Sequence, residues 1–483
     1  MADVYRNYVA GDWVAGGDAI ENINPSDITD VIGAYAQASA AQLEDAISAA
    51  RAALPACRAM GLEARQNALD AIGRELMARA EELGALLSRE EGKPLAEGKG
   101  EVYRSGQFFT YYAAEVLRQL GENADSVRPG IEIDVRREPV GVVTVISPWN
   151  FPTATASWKI APALAYGNAV IWKPANLTPA SAWVLAEIIS RAGLPKGAFQ
   201  LLMGSGSAIG NGLAGHPGVD AVTFTGSYQV GRQVAAATAA NLTKCQLELG
   251  SKNALLVMDD ADIDAAVAAA VVGGYSGTGQ KCTASSRLIV HAGVHDAFVA
   301  ALAGKLKAMK VGHALAEGTQ MGPVVSAGQL QSNLDWMERA RAEGADVVTG
   351  GERIEAETEG YYMSPALLTG TTNDMSLNRE EMFAPIAAVQ KIGSYEEGLA
   401  RVNDTQYGLV ASIFTGSLAR ATHFRRHAET GCVMVNLPTA GTDYHVPFGG
   451  RKNSSHGPRE QGRAAAEFYT QMKTAYISAG TPA

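Results

Sequence analysis

Residues 142–152 read Val142-Val143-Thr144-Val145-Ile146-Ser147-Pro148-Trp149-Asn150-Phe151-Pro152. Five β-branched residues run without a polar break into a turn bounded by two prolines. So short an uninterrupted apolar run, closed by breakers, is the mark of a strand buried on both faces, as in a parallel sheet. Working outward, similar runs occur at 169–173, 199–202 and 221–224, with helical stretches over 180–192 and 229–239 between them. Strand, helix, strand at this spacing predicts parallel strands joined by right-handed crossovers, an α/β fold. A second alternating series starts after Leu249, with strands at 254–257 and 287–290 around a helix over 263–272, then strands near 347–348, 386–390 and 432–435. The first hundred residues predict a hairpin over 8–14 around a Gly11-Asp12 turn, then helices across 40–91. Two isolated β pieces, 131–135 and 475–478, have no partner inside their own segments and are expected to pair across subunits, giving a dimer or a dimer of dimers.

The 483 residues are 47% apolar and 19% charged, which supports packed cores and excludes a disordered chain. At about 150 residues per domain the length predicts two large domains or three smaller ones. With 40 Lys+Arg against 50 Asp+Glu the net charge is −10. That balance argues against nucleic acid or an anionic membrane as partner, since phosphates are met by Lys and Arg. The longest small-apolar stretch, 265–272, is far short of the ~20 residues a membrane span needs. The first residues show neither the basic nor the apolar region of a secretion signal, so a cytoplasmic location is expected. Four scattered cysteines (Cys57, Cys245, Cys282, Cys432) make no CxxC pair, as expected of a reducing compartment. The 52 glycines fit many tight strand-to-helix turns.

Several residues carry potential chemistry. Cys282 lies in Gly279-Gln280-Lys281-Cys282-Thr283-Ala284, a Gly-containing turn. A thiolate there is a strong nucleophile, and Lys281 next to it is expected to lower its pKa. The competing reading is an inert core cysteine. Glu248, between Leu247 and Leu249, is a candidate general base if burial raises its pKa, and otherwise an ordinary strand-end glutamate. Asn150, two residues from a proline on either side, presents its amide in a rigid frame suited to an oxyanion, or satisfies only its own turn. Lys173, at a strand end, suits a ribose hydroxyl or a phosphate. Phe224-Thr225-Gly226-Ser227 opens a strand into a helix N-terminus, a natural pyrophosphate site, and Gly204-Ser205-Gly206-Ser207 offers a weaker one. His423 and His427 have the i, i+4 spacing of zinc ligands. The intervening Phe424-Arg425-Arg426 brings two cations and no glutamate, so no metal site is expected.

Each element is weak alone. In order, Pro148–Pro152, Lys173, Phe224–Gly226, Glu248, Cys282, Glu380-Glu381-Met382-Phe383-Ala384-Pro385 and Pro447-Phe448-Gly449-Gly450 make a set that resembles the NAD(P)-dependent aldehyde dehydrogenase superfamily, from about residue 8 to about residue 478. The segments 279–289 and 454–462 look most like those of α-ketoglutaric semialdehyde (2,5-dioxovalerate) dehydrogenases. The resemblance implies a Rossmann-type cofactor domain (1–121 and 140–249) and an α/β catalytic domain (250–465) whose last part returns towards the cofactor domain. It adds a small β oligomerisation arm (122–139 and 466–483) and a homodimer or homotetramer. It implies Cys282 as nucleophile, Asn150 and the Cys282 N–H as oxyanion donors, and Glu248 as the base that hydrolyses the thioester. Cofactor contacts would come from Ser147, Pro148, Trp149, Lys173, Ala175, Asn176, Gly206, Phe224, Gly226, Ser227, Leu249, Glu381 and Phe383. The substrate pocket would take in Arg104, Trp158, Lys281, Thr283 and His445.

The chain departs from the family pattern at four positions. Asn176 stands where many NAD-specific members carry Glu, which predicts use of both NADP and NAD. Ser251 replaces a Gly after Glu248, and Ala384 a Gly in the Glu381 motif. Trp158 stands where some semialdehyde-oxidising relatives have an Arg for the substrate carboxylate, leaving Arg104 or Lys281 as substitutes. The competing functions are an aldehyde dehydrogenase for a non-acidic aldehyde, a CoA-acylating enzyme, a cofactor-independent cysteine hydrolase or acyltransferase, and a non-catalytic binding protein. Glu248 favours water over CoA as acceptor. No histidine is marked as the partner a cysteine hydrolase needs, and a binding protein has no use for Cys282, Glu248 and Asn150 together.

Overall fold

The structure, a computed structural model, describes residues 4–480; the outermost residues of the first segment and of the arm assigned above, 1–3 and 481–483, lie outside it. The quoted stretch is the middle of an eight-stranded sheet. Its order is Ser455–His456, Lys244–Glu248, Ala221–Thr225, Val142–Ile146, Ala169–Lys173, Phe199–Leu201, Asn7–Val9, Asp12–Val14. The five inner strands are parallel, and the outer ones add antiparallel. The chain leaves Val142–Ile146 towards Ala169–Lys173 and later returns on its other side as Ala221–Thr225. The sequence order therefore reverses at this strand, and the crevice beyond its carboxyl end is where open α/β sheets bind ligands. Every residue of Val142–Ile146 and Ala169–Lys173 is buried, which accounts for the unbroken apolar runs.

A second sheet has seven strands in the order Asp346–Thr349, Ala366–Thr369, Ile386–Ile392, Ser285–His291, Asn253–Val257, Val410–Phe414, Cys432–Val435, all parallel except the first. Cys282 sits just before one of its strands, and Glu248 ends a strand of the first sheet. The seam between the two sheets therefore separates the two residues by only a few loop positions on each side.

Four helices, Ala40–Ala59, Leu62–Ala78, Ala80–Glu91 and Leu95–Val116, account for the helical periodicity of the first hundred residues. The first opens with a capping box between Ser39 and Gln42. Leu62–Ala78 and Leu95–Val116 cross with their backbones in contact. A Cβ on Gly73 would lie 2.7 Å from the Gly106 carbonyl oxygen, and one on Gly106 2.6 Å from that of Gly73. The expected hairpin is present, but its turn is Ala10-Gly11, both at positive φ, with Asp12 starting the second strand. A further three-stranded sheet (Val4–Tyr5, Asp18–Ile23, Val31–Gln37) was not foreseen.

One expectation is overturned. The segments 131–135 and 475–478 do not reach across subunits for each other. Thr470–Ser478 pairs antiparallel with Ile131–Pro139 of the same chain, from Thr470 opposite Pro139 to Ser478 opposite Ile131. Glu122–Asp125 lies on the other side of Ile131–Pro139. The pairing spans more than three hundred residues of sequence, so nothing local announces it. Among the described residues, no helix is long and apolar enough to cross a membrane.

The Gly73–Gly106 crossing positions the helix that carries Glu101 and Arg104. Gly106→Val forces these backbones apart, and a cost of about 2–3 kcal/mol is expected for such overpacking. Thermal unfolding should show the lowered Tm; an unchanged Tm would contradict the close approach.

Candidate active site

Cys282 reaches the seam on a turn of unusual backbone. Gly277, Thr278 and Gly279 all have left-handed conformations, with φ of 57°, 56° and 67°. Glycine adopts this freely, but a β-branched threonine does so at a cost of about 1–3 kcal/mol. The surroundings hold Thr278 there: it is fully buried and its hydroxyl donates to the carbonyls of Gly322 and Pro323, each at 3.2 Å. Gly279 has no alternative residue, since a Cβ would lie 2.1 Å from the Ala384 carbonyl oxygen. Downstream, the Asn253 amide donates to the carbonyls of Cys282 (2.7 Å) and Ala284 (3.0 Å). Its oxygen accepts from Ser251 Oγ and the Val410 N–H. The serine that departs from the family pattern is therefore satisfied, and Asn253 is a positioning residue the sequence analysis missed.

Burial pushes the Cys282 thiol up to about 12, with the Glu381 and Glu248 carboxylates adding to the rise and the backbone N–H groups of Cys282 and Thr283 opposing it. The expectation that Lys281 activates this thiol is therefore corrected. Lys281 is buried, its Nζ donates to the Val272 carbonyl at 2.9 Å and to Ser276 Oγ, and burial lowers its own pKa to about 8.

Asn150 is tied to the cysteine turn, its Nδ2 donating to the Gln280 carbonyl at 2.9 Å. The backbone around it is clamped from the helix Leu95–Val116. Lys93 Nζ donates to the Asn150 carbonyl at 2.6 Å and to Glu101 at 2.7 Å, and sits 4.2 Å from the centre of the Phe151 ring. Glu101 in turn accepts from the N–H groups of Thr153 (3.0 Å) and Ala154 (3.1 Å). The helix Ala154–Ala165 has no side-chain cap of its own, so a carboxylate from another helix caps it. Lys93 and Glu101 escaped the sequence analysis. A buried Lys and Glu eight residues apart look like ordinary surface charges until the fold encloses them.

Glu248 is buried, and its carboxyl is raised well above the usual range by that burial and by Glu460 nearby. Ser455 Oγ donates to Glu248 at 2.6 Å. Gly449 allows the close approach, since a Cβ there would lie 2.8 Å from Glu248 Oε1. Glu381 is half-buried; desolvation takes it up to about 7, opposed by the Ser251 N–H at 2.9 Å.

A cavity of about 360 Å³, within the usual range for ligand pockets, takes in Cys282, Asn150 and Glu381 but not Glu248, whose neighbour Leu249 lines it. Its lining also includes Trp158, Pro148, Trp149, Gly226, Ser227 and Phe383. Ser227 caps the helix Tyr228–Ala240 and brings its free N–H groups to the wall. Gly231 lets that helix sit on Leu249, and Phe224 packs beneath Gly226. Lys173, Ala175, Asn176 and Gly206 do not line this cavity. Lys173 donates to the Pro174 carbonyl at 2.7 Å with its stem against Gly210, beside the turn Gly206–Gly210, and Asn176 donates to Gln37 at 3.0 Å. Burial lowers Lys173 to about 8. Ser147 is turned inward, accepting from the Trp172 indole at 2.8 Å. Thr283 contributes its carbonyl to Thr439, and His445 is exposed beside Tyr444.

Residues 13–475 match the aldehyde dehydrogenase family. The chain is 41% identical to an alpha-ketoglutaric semialdehyde dehydrogenase of Bacillus subtilis over 98% of both chains. It is 40% identical to the alpha-ketoglutarate semialdehyde dehydrogenase of Haloferax volcanii, over 99% of this chain and 100% of that one. Among solved structures it resembles betaine aldehyde dehydrogenase from Staphylococcus aureus in complex with NAD+, with a TM-score of 0.96, 33% identity, and coverage of 100% of this chain and 96% of the other.

A thiol held up near 12 is neutral at physiological pH, and its thiolate fraction grows with each step in pH. Alkylation of Cys282 by iodoacetamide, without cofactor, is expected to rise about tenfold per pH unit between pH 7 and 10. Mass spectrometry of the modified peptide measures it, and a rate that levels off below pH 8.5 would show an activated thiol instead.

Proposed function

The chain belongs to the aldehyde dehydrogenase family, and on that premise we propose that it oxidises a semialdehyde such as α-ketoglutaric semialdehyde to the carboxylate, with Cys282, Asn150 and Glu248 as catalytic residues. The observation that carries this reading is that Cys282 and Asn150 line one cavity together with residues suited to a dinucleotide, while Glu248, next to the lining residue Leu249, is near enough to raise the thiol by its charge. The semialdehyde is supported by the two relatives at 40% identity or more. Nothing in the site favours CoA or a cofactor-free hydrolase.

The residues fit a nicotinamide dinucleotide. Gly226 and Ser227 offer a helix N-terminus to the pyrophosphate, Glu381 is placed to accept from ribose hydroxyls, and Trp149, Leu249 and Phe383 supply apolar walls. We assign the nucleotide to the eight-stranded sheet and the thiol to the seven-stranded one. When bound, the oxidised nicotinamide supplies the acceptor for the hydride lost by the aldehyde carbon. The protein supplies the rest. The Cys282 sulfur adds to the carbonyl carbon and its proton leaves to Glu248 or water. The Asn150 amide, which has a second N–H beyond the one given to Gln280, and the Cys282 N–H stabilise the resulting oxyanion. Once the carbon is oxidised to a thioester, ionised Glu248 takes a proton from water, the water oxygen bonds to carbon, and the C–S bond breaks to release the carboxylate. Because Glu248 is raised, this hydrolysis strengthens as pH climbs through its pKa. The three-stranded arm, with Met472, Tyr476 and Ile477 exposed, supports association of the chain as a homodimer or homotetramer.

Cys282→Ala is expected to abolish turnover and keep cofactor affinity, because only the covalent step is lost. Glu248→Gln is expected to give a burst of reduced cofactor followed by slow turnover. Stopped-flow absorbance at 340 nm separates the two, and loss of the burst in Glu248→Gln would place Glu248 at thiol activation.

Cofactor choice rests on Lys173 and Asn176. Among the described residues no carboxylate pairs with Lys173, and Asn176 is neutral, so neither repels a 2′-phosphate. Both NADP and NAD are expected to serve. Asn176→Glu introduces a like charge and should shift the ratio of kcat/KM towards NAD by about tenfold to a hundredfold. An unchanged ratio, or a wild type inert with NADP, would overturn this.

A further inference from the structure

Glu248 faces a cation that the mechanism above does not use. Its two carboxylate oxygens are held differently. Oε2 accepts from Ser455 Oγ at 2.6 Å, and that serine accepts in turn from the Gly450 N–H at 2.6 Å. Oε1 has no hydrogen bond among the described residues and lies over Gly449. A Cβ on Gly449 would be 2.8 Å from Glu248 Oε1, 2.8 Å from Arg459 Cδ and 2.9 Å from Arg459 Nη1. Carboxylate and guanidinium therefore meet around one absent side chain, no more than about 6 Å apart, the range over which a charge moves a carboxyl pKa.

Arg459 is pinned in that position from both sides. The Pro458 carbonyl before it accepts from the Gln246 amide at 2.9 Å, and Glu460 after it exchanges two backbone hydrogen bonds with Phe448, of 2.8 and 2.9 Å. The arginine is half-buried, and among the described residues it has no ion pair or hydrogen bond of its own. Its neighbour Glu460 is already paired with Lys159, from the helix Ala154–Ala165. Four groups besides Arg459 face Glu248: Glu460 opposes its ionisation, Lys159 favours it, and the thiols of Cys282 and Cys432 feel its charge. Since Lys159 and Glu460 offset each other, Arg459 is the one uncompensated cation, and a guanidinium stays charged wherever a carboxyl titrates.

We propose that Arg459 is a positioning residue for the base: its guanidinium, seated on Gly449, holds Glu248 Oε1 by charge and keeps the carboxylate ready to take a proton from water. This deepens the reading of Glu248 above and rests on it. Burial and Glu460 raise Glu248, and Arg459 limits the rise. Removing the guanidinium therefore moves the carboxyl further up and leaves less of it ionised below the new pKa, with no difference well above it.

Infrared titration of the wild type, Arg459→Gln, Arg459→Met and Arg459→Lys follows the protonated Glu248 carbonyl band, identified by its loss in Glu248→Gln. The two neutral variants are expected to titrate about one unit higher, and Arg459→Lys close to the wild type. Thioester hydrolysis, in single turnovers of α-ketoglutaric semialdehyde with NAD, should slow about tenfold below that pKa and keep its plateau above it. An unmoved titration in either neutral variant, or a loss of rate equal at every pH, would make Arg459 a packing residue and overturn the proposal. A titration that moves while hydrolysis keeps its pH profile would instead overturn Glu248 as the base.

Discussion

The buried Lys93–Glu101 pair is the contact on which the site's geometry depends. One carboxylate closes the open N-terminus of the helix Ala154–Ala165, and its ammonium partner holds the carbonyl of Asn150. Enclosing two charges costs several kcal/mol in desolvation, and the return comes only through well-made hydrogen bonds. Here they number four, the ion pair itself and three to the backbone of Asn150, Thr153 and Ala154, which follow the central strand. The same helix presents Glu101 and, three residues later, Arg104. A single helix therefore holds both the backbone after the central strand and Arg104.

The chemistry sits in a pocket that at rest avoids charge. Cys282, Glu248 and Glu381 are all raised, chiefly by burial, and both carboxylates add to the rise at the thiol. The charge state of such a site depends on what is bound. A cofactor with a cationic ring would favour the thiolate, and hydroxyls on Glu381 would favour its carboxylate. Lys252, a buried lysine whose charge acts on Glu381, has no hydrogen-bond partner among the described residues, and burial lowers it to about 7.

Much of the cavity wall was legible in the sequence because strand, Gly turn and capped helix are local patterns. Gly226, Ser227 and Glu381 line the cavity as their motifs suggested. Ser147 did not follow, since only the packed sheet reveals that its hydroxyl belongs to Trp172. Lys281 was misjudged for a related reason. Adjacency in sequence placed its charge beside the thiol, but side chains of neighbouring residues diverge, and its ammonium turned to the preceding helix end.

By itself the sequence determined the alternation of strands and helices, the proline-bounded turn at Asn150, and which residues are candidates for nucleophile, base and amide donor. These are written in neighbouring residues, through propensity, periodicity and side-chain chemistry. Tertiary structure decided that Thr470–Ser478 pairs with Ile131–Pro139 in the same chain. It also decided that Lys93 and Glu101 are buried, that Lys281 is engaged, and that Arg104 stacks on Tyr444. Each of these depends on which distant segments meet and how much water they exclude, and that is settled only when the two sheets and the N-terminal helices pack together.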